Sequence, residues 1–312
     1  MPDPSVPDPS VPATPSAGPD RAPFGARLGR AMDEHGPLCV GIDPHPGLLD
    51  AWGLPRTAEG LRRFGLTALE AAAGHAAAVK PQVALYEAYG AAGLAALEEL
   101  LGAARSAGLL SVADAKRGDI GSTMDAYAAA WLGEGSPLAA DAVTLSPYLG
   151  FESLRPALDL AARTGRGTFV LALTSNPEGR SVQHVGGDAS VARSVCEAAA
   201  AENARLLGDA GAPGTTTAGR GALGSCGLVV GATVGDALGA LGIDLTAVRG
   251  PLLAPGYGAQ GARAADLPAV FGRAGAQVLA TSSRAILREG PSVAGLREAV
   301  RRSAGELAEA LG

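Results

Sequence analysis

The chain has 312 residues, 47% hydrophobic and 18% charged, which is ample for one large buried core. Its formal net charge of −6 and pI near 5.3 argue against nucleic acid as a partner and fit a soluble protein, although a local basic pocket stays open. No apolar run reaches the roughly 18 residues of a membrane span, and Cys39, Cys196 and Cys226 form no CxxC pair or histidine cluster, which disfavours a disulfide framework or a zinc site and fits a reducing cytoplasm.

In chain order, the first segment reads MPDPSVPDPSVPATPSAGPDRAP. It repeats PDPSV, is rich in proline and has no apolar h-region, so it is not a secretory signal. With almost nothing to bury, residues 1–23 are predicted to be a disordered tail. Residues 24–312 then read as a single domain in which short apolar runs alternate with longer helical patterns. LCVGID (38–43) is the first such run, and Thr57 caps the helical pattern Ala58–Ala73 that follows it. AAVKPQ (77–82) leads into a helical pattern over Tyr86–Ala107. LLSVADAK (109–116), DAVTLSP (141–147) and GTFVLALTS (167–175) come next. Asp188 is the expected cap of a helix running toward Leu207. The low-complexity run GAPGTTTAGRGALGSCG (211–227) reads as a flexible insertion. GLVVGAT (227–233), PLLAPG (251–256) and QVLATSS (277–283) complete the set.

Eight βα units predict an α/β protein of the (β/α)8 TIM barrel type, which commonly takes about 250 residues. An open doubly wound sheet is the alternative. In a barrel the chemistry sits at the C-terminal ends of the strands. Those ends carry Asp43, Lys80, Asp114, Lys116, Ser175, Gly256–Gln260 and Ser282–Arg284.

Asp114 and Lys116 are two apart, so on a strand they face the same side. Lys80 ends the preceding strand and Asp43 the one before it, while Asp119 lies past a glycine where the chain turns toward a helix. Nearby carboxylates favour the charged form of each lysine, which makes Lys116 a candidate proton donor. A salt-bridge network that only pins loops is the bland reading, and five charged groups on three consecutive strand ends weigh against it. On the seventh and eighth strands, APGYGAQG (254–261) and TSSRAIL (281–287) offer backbone amides, Ser283 and the forked cation of Arg284 to a phosphate. Ser175 and Asn176 in LTSNPEG (173–179) supply neutral groups able to read a heterocycle edge, or merely a turn. His75 falls in a predicted helix, and none of His45, His75 and His184 is given a catalytic role.

DAKRGDIGST (114–123) resembles the D-x-K-x-x-D-I-x-x-T signature of the orotidine 5'-monophosphate decarboxylase family. GIDP, KPQVALYE, TSNPEG, PGYGAQG and SSRAIL are similar to the segments that flank it in the longer bacterial branch of that family, in barrel order, over Pro37–Leu311. The resemblance implies decarboxylation of orotidine 5'-monophosphate to UMP, the last step of de novo pyrimidine nucleotide synthesis, with no metal and no organic cofactor. It implies that Asp43 and Lys80 hold the ribose, that Asp114 crowds the substrate carboxylate and that Lys116 protonates C6. It further implies that Asp119 and Thr123 reach into the partner's site of a homodimer, that Ser175 meets the pyrimidine edge, and that Gln260, Ser283 and Arg284 grip the phosphate. Ala262 departs from the pattern, standing where a further glycine is common. A metal-dependent sugar-phosphate decarboxylase or synthase of the same barrel group, and a non-catalytic phosphate-ligand barrel, are the competing readings.

Overall fold

The computed structural model describes residues 21–208, 221–258 and 261–312. Its eight strands are β1 (Leu38–Ile42), β2 (Ala78–Pro81), β3 (Leu110–Arg117), β4 (Ala142–Leu145), β5 (Gly167–Leu173), β6 (Cys226–Val230), β7 (Leu252–Ala254) and β8 (Val278–Ser282). They pair in parallel in sequence order, and β8 returns to β1, so the barrel is closed. Each predicted apolar run holds one strand, and the open-sheet alternative is set aside.

Two layers of packing explain why the runs are apolar throughout. Outward residues of the strands, such as Val40, Val79, Val143 and Leu252, meet the surrounding helices in one large core. Inward residues, among them Cys39, Ala78, Val112, Phe169, Val229 and Leu279, fill the lower barrel with Phe24, Leu28 and Met32. Those last three come from the helix Phe24–His35, which closes the N-terminal end. Phe24 meets Phe169 edge-on at 5.9 Å between centroids, a contact worth about 0.5–1.5 kcal/mol beyond burial. With its floor sealed, the barrel opens at the C-terminal ends of the strands. Among the described residues, no helix is long and apolar enough to cross a membrane.

Several local expectations are corrected. Tyr86–Ala107 is two helices, Val83–Glu87 and Gly90–Ser106, because Gly90 takes φ 61° and breaks the helical path. Thr57 does cap its helix, accepting from the Gly60 amide. Asp188 does not: it lies in the 3-10 turn Gly187–Ala189, and Ser190 accepts from the Arg193 amide at the start of Val191–Leu207. His75 sits in the turn after the helix Ala58–Ala72.

The tail expected over 1–23 lies outside the described residues up to residue 20, but Arg21 belongs with the barrel. It donates to Glu134 at 2.7 Å and to the Thr164 carbonyl at 3.1 Å. Of the insertion expected over 211–227, residues 211–220 lie outside the described ones. Its end is core instead: Leu223, Ser225 and Cys226 are buried, and Cys226 begins β6.

Candidate active site

The strand period of two carries each inward position from floor to mouth. Gly41 and Asp43 continue the Cys39 face, Lys80 and Gln82 continue Ala78, Asp114 and Lys116 continue Val112, and Thr281 and Ser283 continue Leu279. All of these upper residues line one cavity of about 450 Å³ at the C-terminal mouth. A Cβ on Gly41 would fall 2.7 Å from the Ser283 Cβ, so only glycine lets β1 and β8 approach this closely here.

β3 is irregular where it matters. Its pairing with β4 runs Ala113↔Val143 and then Arg117↔Leu145, so residues 114–116 stand against Thr144 alone. Extra residues bend and twist a strand and re-aim its side chains. Lys116 absorbs the bulge with φ 50°, a left-handed value rare for a lysine. Arg117 anchors the outer side, pairing with Glu87 and lying over the rings of Tyr127 and Trp131 at 5.6 and 5.8 Å.

Asp114 is the hub. Its Oδ1 accepts from Lys116 Nζ at 2.5 Å and from the Thr144 hydroxyl at 3.0 Å. Its Oδ2 accepts from Lys80 Nζ at 2.7 Å and from Gln82 Nε2 at 3.0 Å. Burial alone would raise this carboxyl, but the two ammonium groups overcome it and hold Asp114 well below the usual carboxylate range. Burial likewise opposes the charge on Lys80, and Asp114 and Asp43 outweigh it, so the ammonium stays charged above its ordinary range. Lys80 bonds Asp114; Asp43 acts on it only through space. Half of the Lys116 side chain remains open toward the cavity, at 45% exposure against 9% for Asp114.

The other side of the mouth is arranged differently. Asp43 Oδ1, Ser282 Oγ and Ser283 Oγ are buried with no hydrogen-bond partner among the described residues. Arg284 is exposed and lines the cavity with Gly256 and Tyr257. The loop after β7 turns back through glycines at positive φ, and Ala262 closes it by bridging to Tyr257 while 4% exposed. Ala262 itself needs no positive φ, so its backbone does not require the glycine of the family pattern. Gln260 lies outside the described residues.

Three predicted residues do not line this cavity. Ser175 is exposed and lines a neighbouring cavity of about 460 Å³ with Asn176, Arg180 and His184, while Thr174 borders both cavities. The Thr174 hydroxyl is already engaged by Asn176 and Gln183. Asp119 accepts from the Ile120 amide at 2.8 Å and, like exposed Thr123, sits outside the pocket.

Residues 36–299 match the family described as orotidine 5'-phosphate decarboxylase / HUMPS. The chain belongs to this family. Curated members agree: an orotidine 5'-phosphate decarboxylase of Streptomyces coelicolor is 54% identical over 93% of this chain and 98% of that protein. One of Salinispora arenicola is 53% identical over 89% of this chain and 95% of that protein. A crystal structure from Streptomyces avermitilis superposes with TM-score 0.84 at 54% identity, covering 93% of this chain and 96% of that one. The Leishmania donovani OMP decarboxylase superposes with TM-score 0.70 at 30% identity, covering 93% and 99%.

Within the web around Asp114, two members escaped sequence reasoning. Gln82 was legible, because it stands two residues from Lys80 and must share its face. Thr144 was not, since a threonine in DAVTLSP reads as an ordinary β-branched strand residue.

Proposed function

We propose that this strand-end web decarboxylates orotidine 5'-monophosphate to UMP, with Lys116 as the proton donor. As the bond from C6 to the carboxyl carbon breaks, CO2 leaves and the electron pair stays on C6. An ammonium at Lys116 stabilises that developing charge and then supplies the proton that makes UMP. Asp114 carries its own negative charge beside the departing carboxylate and stays ionised because four donors hold it. The single observation that carries this reading is the half-open Lys116 ammonium, tied to a buried carboxylate it cannot protonate under working conditions.

Phosphate recognition falls to Arg284 and Ser283, with Gln260, and the ribose to Asp43 and Lys80. The unpartnered oxygens of Asp43 and Ser283 supply the hydrogen-bonding capacity this needs. Ser175, facing another cavity, is left out of the pyrimidine contact. The metal-dependent sugar-phosphate reading needs a magnesium-binding carboxylate at the end of β2. The residue there is Lys80, a cation committed to Asp114 at 2.7 Å.

Asp119 and Thr123 are assigned to the partner's site in a homodimer. Supporting this, neither lines the cavity of its own subunit, and Ile120, Tyr148 and Leu149 in the segments after β3 and β4 are exposed apolar side chains (61%, 80% and 54%). Clusters of exposed apolar side chains mark association surfaces.

The test is to follow loss of orotidine 5'-monophosphate absorbance with EDTA-treated enzyme. Wild type should keep its activity, and Lys116→Ala should lose at least about a thousandfold in turnover while still binding UMP. Activity lost to the chelator would favour the sugar-phosphate reading, and a fully active Lys116→Ala would remove the donor.

A further inference from the structure

The bulge in β3 needs something to hold it, and Thr144 is placed to do so. We propose that Thr144 is a positioning residue for proton delivery, fixing the backbone of Lys116 and the carboxylate of Asp114 through one hydroxyl. The inference rests on Lys116 being the donor.

The geometry dictates the direction of both bonds. The Lys116 backbone N–H can only donate, and it meets Thr144 Oγ at 2.9 Å. The ionised Asp114 carboxylate can only accept, and its Oδ1 lies 3.0 Å from the same oxygen. The hydroxyl proton is therefore committed to Asp114, and a lone pair to Lys116. Thr144 is 1% exposed and does not line the cavity, so it touches no substrate. It is also the one residue of β4 set against residues 114–116.

Two consequences follow. A left-handed lysine persists only where its surroundings over-determine it; the bond to its amide is one such constraint, and without it the side chain loses its aim. Moreover, Lys116 and Thr144 share the same oxygen of Asp114. When Lys116 gives its proton to C6 it becomes a neutral amine and a weaker partner, whereas the Thr144 bond remains. The hydroxyl thus keeps Asp114 satisfied on both sides of the proton transfer.

Thr144→Val keeps the shape and removes the hydroxyl, and Thr144→Ser restores it. The valine variant should lose about 10- to 100-fold in kcat and in the single-turnover rate. Its KM for orotidine 5'-monophosphate and its Kd for UMP should stay within about twofold of wild type, because Thr144 makes no ligand contact. Serine should recover to within about threefold of wild type. Should valine fail to fold, Thr144→Cys against Thr144→Ser makes the same comparison with a weaker hydrogen-bonding group. Near-wild-type kcat without the hydroxyl would overturn the proposal. So would a serine variant as impaired as valine or cysteine, or a kcat loss matched by an equal loss of UMP affinity. Lys116→Ala run alongside separates the two claims: if it is inactive while Thr144→Val is not, only the role of Thr144 fails.

Discussion

The two sides of the barrel mouth are built by opposite rules. On β2, β3 and β4 the polar groups are spent on one another: Lys80, Gln82, Lys116 and Thr144 all bond Asp114. From β8 round to β1, oxygens of Ser282, Ser283 and Asp43 are buried without a partner among the described residues, and Arg284 stands exposed. A group already satisfied and held in place can act on developing charge without reorganising. A group left unsatisfied gains most when a ligand arrives. On the proposed function, the first wall serves the chemistry and the second the grip. Mutations in the first should therefore disturb the fold and the rate, and mutations in the second should disturb affinity.

The largest effect is expected at the hub. Asp114→Ala leaves the buried Lys80 ammonium unpaired, and breaking such a pair costs about 3–5 kcal/mol. Urea unfolding at neutral pH should show that loss, together with no measurable turnover. The pH dependence gives a second handle. Because the folded carboxyl is held below its ordinary value, its contribution is complete above the unfolded-state value of about 3.9. It is lost as pH falls through the depressed folded-state value. The stability gap between wild type and Asp114→Asn should therefore narrow on acidification below about pH 4. A gap that is constant or grows in acid would mean that the web does not hold Asp114 ionised.

The grip wall should answer differently. Arg284→Ala is expected to weaken UMP binding by about 10- to 100-fold, the loss of a charge-assisted contact. An unchanged unfolding midpoint should accompany it, because Arg284 makes no ion pair among the described residues. Calorimetric titration with UMP beside a thermal melt checks both halves. A destabilised Arg284→Ala, or one that binds UMP normally, would erase the distinction between the walls.

Much of this division was legible before any coordinates. Alternation of apolar runs with helical patterns located every strand, and strand-end positions picked out Asp43, Lys80, Asp114, Lys116, Ser283 and Arg284. What escaped depends on register, which no single run encodes. The bulge at 114–116 arises from the pairing of β3 with β4, so neither the left-handed Lys116 nor the role of Thr144 could be read from either segment alone. Ser175, just past β5, lines the neighbouring cavity, and Thr174 beside it borders both, a placement that the segment alone does not encode. The bottom closure by Phe24–His35 was missed because eight βα units account for a barrel without it.

Asp119 sharpens the comparison from outside both walls. It shares a ten-residue segment with Asp114 and Lys116, yet joins neither their web nor the cavity. If it serves a partner's site, each site combines Lys116 of one subunit with Asp119 of the other. Lys116→Ala and Asp119→Ala proteins should then each be inactive alone. In a mixed dimer, one site lacks both groups and the other is intact. Random exchange makes half of the dimers mixed, so about a quarter of wild-type activity should return on mixing. That is only a fourfold deficit, the smallest effect considered, but its sign is decisive. Recovery would place Asp119 across an interface, next in sequence to the exposed Ile120. No recovery after demonstrated subunit exchange would return Asp119 to its own subunit, where it accepts from the Ile120 amide.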